Sequence, residues 1–224
     1  MAAAAVVPGF RPAEHGLHFA NAFPRVPALW FPLGPLVRLP IGNAADGLCG
    51  GMSLLVKERF EAGRPVPPDR TPPGPGTPLF ESIVRHQVVS LDWLRVPLRF
   101  YSLQAFRPER TDPFARLLGR RSRTSETVHE WHRVRAEIDA GRLAPVGLIR
   151  TISPNPLLLG HNHQVLAFGY EVVDDRLSLR IYDPNHPDQD DIELRMRLGV
   201  DRRGPATMLQ TTGEPLFAFF LESR

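Results

Sequence analysis

Residues 160–187 read GHNHQVLAFGYEVVDDRLSLRIYDPNHP, and this stretch decides the architecture. HQVLAFGYEVV and LSLRIYDP are short runs rich in branched and aromatic residues, and VDDR between them has the composition of a hairpin turn. An antiparallel pair built this way brings the end of its second strand beside the start of its first. His163 opens the first run and Asp183 closes the second, so an imidazole and a carboxylate should meet at one end of the hairpin.

Working outward, APVGLIRTI on the N-terminal side and DIELRMRLGV and LFAFFLES on the C-terminal side have the same strand character. Helical patterns fill the first half of the chain instead. CGGMSLLVKERFEAG places Met52, Leu55, Val56 and Phe60 at helical spacing and stops at Gly63. Thr77 and Pro78 read as an N-cap and first helical position before Phe80, Ile83, Val84, Gln87, Val88 and Leu91. SETVHEWHRVRAEIDAG opens on Ser125 as cap, sets Val128, Trp131, Val134 and Ile138 on one side, and closes at Gly141. Its histidines, His129 and His132, fall on the polar side. Helices first and an antiparallel sheet afterwards define an α+β fold class.

Composition narrows the function classes. With 224 residues and 42% hydrophobic content the chain can build one substantial core. The basic groups are 26 Arg and the single Lys57, and they exceed the acids by only three. That excess does not point to nucleic acid, and the run at Arg120, Arg121 and Arg123 has no interleaved aromatics. No apolar run approaches the ~20 residues of a membrane span, and MAAAAVVPGF lacks the basic flank of a secretory signal, so no membrane span and a cytoplasmic location are expected. A single cysteine fits a reducing compartment and rules out an internal disulfide scaffold.

That cysteine, Cys49, lies in NAADGLCGGMSLL (43–55), at the first turn of the first long helix. Unpaired N–H groups and the positive end of the helix dipole there favour a thiolate. Gly47, Gly50 and Gly51 would let backbone approach a substrate carbonyl, with the Cys49 N–H aimed at an oxyanion. A nucleophilic thiol needs a histidine and a group to orient it, which His163 and Asp183 supply.

In this ordered set the chain resembles the papain-like cysteine peptidases, nearest to the bacteriocin-processing, double-glycine peptidase branch. The matching pieces are Asn43, CGGMSLL, EIDAGRLAPVGLI, HQVLAFGY and IYDP, over residues 43–60 and about 130–187. The resemblance implies a single two-lobed domain over 1–224, with N-terminal helices packed against a C-terminal antiparallel sheet. Residues 1–42 form an irregular arm, 43–141 a mainly helical lobe carrying the Cys, and 142–224 the sheet lobe carrying the His and Asp. It implies a hydrolase that cleaves a peptide, isopeptide or related acyl bond through a thioacyl-enzyme, acting on a peptide, protein or other acyl substrate. Cys49, His163 and Asp183 are the implied catalytic residues. Asn43, where the pattern has Gln, is the implied oxyanion donor, one methylene shorter.

Asn185, His161, Asn162 and Gln164 are further site candidates, Asn185 as an alternative third member to Asp183. No cofactor and no metal are implied. Three other readings share these residues: an acyltransferase or transamidase with the same triad, a binding module with an idle triad, and a metal protein built on His161, His163, Asp183 and His186. The acids Asp174, Asp175, Asp188, Asp190 and Asp191 lack the pattern of a calcium loop and are expected to be solvated.

Overall fold

The computed structural model describes residues 2–24, 27–32, 38–43, 47–92, 95–107, 122–198 and 208–222, with backbone alone for 27–32 and 38–43. Arg120 and Arg121, and the side chains of Trp30, Phe31 and Asn43, lie outside the described residues.

The strands are β1 (Ala2–Val6), β2 (Pro27–Pro32), β3 (Arg38–Asn43), β4 (Ala144–Ile149), β5 (His163–Val173), β6 (Arg176–Tyr182), β7 (Glu193–Arg197), β8 (Leu209–Gln210) and β9 (Ala218–Leu221). The α-helices are α1 (Pro12–His15), α2 (Cys49–Glu61), α3 (Pro78–Ser90), α4 (Arg95–Tyr101) and α5 (Arg123–Asp139). Seven strands form one antiparallel sheet in the order β8-β7-β6-β5-β4-β9, with β1 added against β5. Apart from β1, the strands of this sheet follow the helices in the chain, and the fold is α+β.

The hairpin at the centre follows the sequence pattern. β5 spans 163–173, the turn is Asp174-Asp175 with Asp174 at φ 56°, and β6 returns to Tyr182. Leu166 pairs with Tyr182, which sets Asp183 beside Val165, one pleat repeat from His163. On its other side His163 pairs with Leu148 of β4.

Alternation sorts β9 between two cores. Phe219 and Leu221 join the main core with Met52, Leu55, Trp131, Val134, Leu148 and Val165. Ala218 and Phe220 face a smaller cluster with Val96, Phe100 and Leu103. Both faces of β9 are therefore covered, and each fully buried aliphatic chain contributes ~2 kcal/mol.

Cap chemistry explains the helix boundaries. Thr77 accepts from the Phe80 N–H and starts α3 as expected. For α5 the expected cap, Ser125, is wrong by one turn. Ser122 is the cap, its Oγ accepting from the Ser125 N–H at 3.1 Å. Both positions are serine, and the buried Arg123 and Thr124 extend the helix backward into the core.

The irregular arm expected over 1–42 is also corrected. Alanine has little strand preference, so AAAAV gives no strand signal. It becomes β1 because β4 covers only residues 163–167 of the 11-residue β5, leaving 169–173 unpaired on that side. Close approach matters here, since a Cβ on Gly169 would lie 3.3 Å from Ala5 O. β2 and β3 make a separate ribbon despite Pro27, Pro32 and Pro40, because in a two-stranded ribbon each strand has an outer edge where a missing N–H is tolerated.

Among the described residues no helix is long and apolar enough to cross a membrane.

Candidate active site

Cys49 is the first residue of α2, whose buried face continues through Met52, Leu55 and Val56 into the main core. The helix packs on β5 and α3, which brings its N-terminus to the start of β5. Cys49, His163 and Asp183 come together there.

His163 Nε2 donates to Asp183 Oδ1 at 2.6 Å. Cys49 stands close enough to the same ring to favour its charge, and with Nε2 on Asp183, Nδ1 is the ring nitrogen left for a further partner. All three are buried: Cys49 keeps 8% of its surface exposed, His163 4% and Asp183 none.

Four donors hold the Asp183 carboxylate. Oδ1 takes the His163 bond and the Asn185 N–H at 2.8 Å, and Oδ2 takes Gln210 Nε2 at 2.7 Å and Arg150 Nη2 at 3.3 Å. Burial works against ionisation, but the charge and hydrogen bond of His163, the Asn185 N–H and Arg150 outweigh it, so the Asp183 carboxyl sits well below its usual range. For His163 burial likewise opposes the charge, and Asp183 and Cys49 overcome it, raising the imidazole to about 9. At neutral pH the pair is an imidazolium beside a carboxylate.

Behind the carboxylate the bonds continue outward. Gln210 Oε1 accepts from Arg150 Nη2 at 2.7 Å, and Gln210 Nε2 also reaches Thr212 Oγ1 at 2.7 Å. Thr212 bonds Glu214, whose Oε1 lies 2.5 Å from His186 Nε2. Arg150, Gln210 and Asn21 were missed by the sequence reading. Each acts on a backbone N–H or carboxylate far away in the chain, and no local pattern marks them.

Several secondary candidates have other occupations. Asp183 rather than Asn185 bonds His163; the Asn185 N–H serves Asp183, and its side-chain Oδ1 accepts from Asn21 Nδ2 at 3.2 Å. Asn162 accepts from the Arg150 N–H at 3.0 Å and donates to Gln104 Oε1 at 2.8 Å, bracing the entry to β5. Gln164 points the other way along the pleat into a buried polar chain. The Gly51 N–H donates to Gln87 Oε1, Gln87 Nε2 to Gln164 Oε1, and Gln164 Nε2 to Glu222 Oε1.

The glycines after Cys49 are required by this packing. A Cβ on Gly50 would lie 2.0 Å from Gln164 Oε1, and one on Gly51 would lie 2.2 Å from Ile83 O. A side chain at Gly51 would force α2 away from α3, and one at Gly50 would displace the Gln164 amide.

His161 ends an exposed 3-10 turn, Pro156–His161, rather than sharing a strand face with His163, and His186 pairs with Glu214. Among the described residues no group of three or more His, Cys, Asp or Glu is arranged to hold a metal. His129 and His132 are exposed on α5. The acids expected to be merely solvated are partly structural. Asp190 accepts from the Ala13 N–H at 2.8 Å and from Arg11, Asp188 lies 2.5 Å from His18, and Asp175 pairs with Arg197. They fasten the N-terminal segment and the hairpin turn to the sheet.

Asn43 ends β3 opposite Pro27. A cavity of about 410 Å³ between α2, α5 and the ends of β4 and β9 is lined by Lys57, Glu137, Pro145 and Glu222, and neither Cys49 nor His163 lines it.

Comparison with protein-family models, with curated proteins and with solved structures gives no match.

Proposed function

We propose that the chain is a cysteine-dependent hydrolase of papain-like, two-lobed type, cleaving a peptide, isopeptide or related acyl bond. One observation carries the reading: the His163 ring is bonded through Nε2 to a buried, ionised Asp183, with Cys49 near enough to favour the ring's charge.

In this reading Cys49 Sγ adds to the substrate carbonyl carbon while His163 holds the proton. The tetrahedral intermediate collapses to a thioester, and His163 gives its proton to the leaving group. Water then attacks the thioester, passing a proton back through His163 and restoring the thiol. Asp183 keeps the ring in one orientation and balances its charge throughout.

The oxyanion needs donors at the start of α2. The Leu48 N–H is taken by Asn21 and the Gly51 N–H by Gln87, whereas the Cys49 and Gly50 N–H groups have no partner among the described residues. The Cys49 N–H is thus available as the backbone donor, and the resemblance to papain-like peptidases adds Asn43 as the side-chain donor, each worth ~3 kcal/mol in comparable sites.

An electrophilic probe for cysteine hydrolases, such as an acyloxymethyl ketone, tests this without knowledge of the substrate. The adduct should map to Cys49 and disappear in Cys49→Ala and His163→Ala. A folded protein that the probe leaves unlabelled, or equal labelling of His163→Ala, contradicts the proposal. Adding an amine to the turnover assay separates hydrolysis from acyl transfer.

A further inference from the structure

Asn21 belongs to no helix or strand, yet it joins the two halves of the site. Its N–H donates to Pro184 O at 2.9 Å, its Oδ1 accepts from the Leu48 N–H at 2.7 Å, and its Nδ2 donates to Asn185 Oδ1 at 3.2 Å. Leu48 is the residue before Cys49 and the N-cap of α2, and its own side chain makes no cap bond. Pro184 and Asn185 follow Asp183 directly, and the Asn185 N–H bonds the same Asp183 oxygen that faces His163.

The neighbouring chain is shaped around this contact. Gly47 has φ 97°, and a Cβ there would lie 2.8 Å from Asn21 Nδ2. Both the left-handed backbone and the space taken by the amide require glycine at that position.

We propose that Asn21 is a positioning residue that fixes the spacing between Cys49 and the His163–Asp183 pair. It ties the residue preceding the sulfur to the turn following the carboxylate through one short amide. The proposal rests on the reading of Cys49 as a nucleophile. A short, doubly bonded side chain holds such a spacing more tightly than packing alone, and misplacing a reacting group by ~1 Å costs on the order of 100-fold.

The test is the rate of Cys49 alkylation by iodoacetamide across pH in the full chain, its Asn21→Ala, Asn185→Ala and His163→Ala variants, with circular dichroism to confirm folding. The wild type should react at about pH 6, below the ordinary thiol range, through a limb that His163→Ala lacks. Asn21→Ala should lose ~10-fold of that low-pH rate while its rate above about pH 10, where any thiol is ionised, stays within ~2-fold. Asn185→Ala, which removes one arm of the tie, should fall between.

A merely structural Asn21 lowers the melting temperature and leaves the pH profile unchanged. If Asn21→Ala does not fold, Asn185→Ala decides. Wild-type profiles in the folded Asn variants, alongside a lost limb in His163→Ala, overturn the role of Asn21 and leave the nucleophile standing. A wild type with no low-pH limb overturns both.

Discussion

His163 Nε2 and Asp183 Oδ1 stand 2.6 Å apart in a site where the carboxylate is fully buried and the imidazole nearly so. Their charges shift in opposite directions, and each shift carries a stability consequence. His163 is raised from 6.5 to about 9, so its contribution is fully present below 6.5 and is lost as pH rises through about 9. Asp183 is lowered, so its contribution is present above its ordinary value of 3.8 and is lost as pH falls toward the folded value. Melting temperature against pH should show a plateau between these limits and an alkaline decline. In Asp183→Asn the His163 titration, followed by its ring proton resonances, should move down. An unchanged titration would separate the imidazole from the carboxylate.

Gly51→Ala sets two effects against each other. Helix propensity favours alanine by ~1 kcal/mol. The added Cβ, however, meets Ile83 O at 2.2 Å and Gln87 N at 2.9 Å, backbone atoms of α3 that cannot turn aside. Overpacking of this kind costs ~1–3 kcal/mol, so the net result should be a loss of stability in denaturant titration. A gain would mean that α2 and α3 are not in this close contact.

Glu130 offers a test of the helix-to-sheet junction. It is 1% exposed, pairs with Arg99 at 2.7 Å and Arg133 at 3.1 Å, and accepts from the Leu221 N–H at 2.9 Å on the open edge of β9. Glu130→Ala strands that N–H and takes from Arg99 its nearer carboxylate, leaving Glu126 at 3.3 Å, and should cost ~3 kcal/mol in unfolding free energy. Glu130→Gln keeps an acceptor for Leu221 and should lose less. Equal losses would locate the stability in the charge rather than in the edge hydrogen bond.

Gln210, 2% exposed, holds Asp183 and Arg150 together. Gln210→Ala removes a hydrogen bond to a charged group, worth about 1.5–3 kcal/mol. Unfolding should report that loss, and the His163 resonances should shift because the carboxylate is less firmly held. A loss under 0.5 kcal/mol would mean that the amide contributes little beyond filling space.

What the sequence discloses about this molecule follows from the range of its interactions. β5, its turn and β6 were legible because strand periodicity and turn chemistry are local, and Thr77 because a cap acts within one turn. β1 was not legible, since its strand state comes from the unpaired half of β5 rather than from alanine. Cys49, His163 and Asp183 could be singled out because their chemistry is rare and their order informative. Asn21, Arg150 and Gln210 could not, because an amide or guanidinium reveals its role only through a partner elsewhere in the chain. The packing role of the glycines after Cys49 was not legible, because close approach to protein and close approach to a substrate leave the same trace in sequence.

The most direct measurement is the ratio of Cys49 alkylation rates in the wild type and His163→Ala at about pH 6, below the ordinary thiol range of ~8.5. With one cysteine in the chain, intact mass reports it without interference. A ratio of ~10 or more is predicted, because the imidazolium held by Asp183 stands beside the sulfur. A ratio near one, with both proteins folded, contradicts a working Cys49–His163 pair.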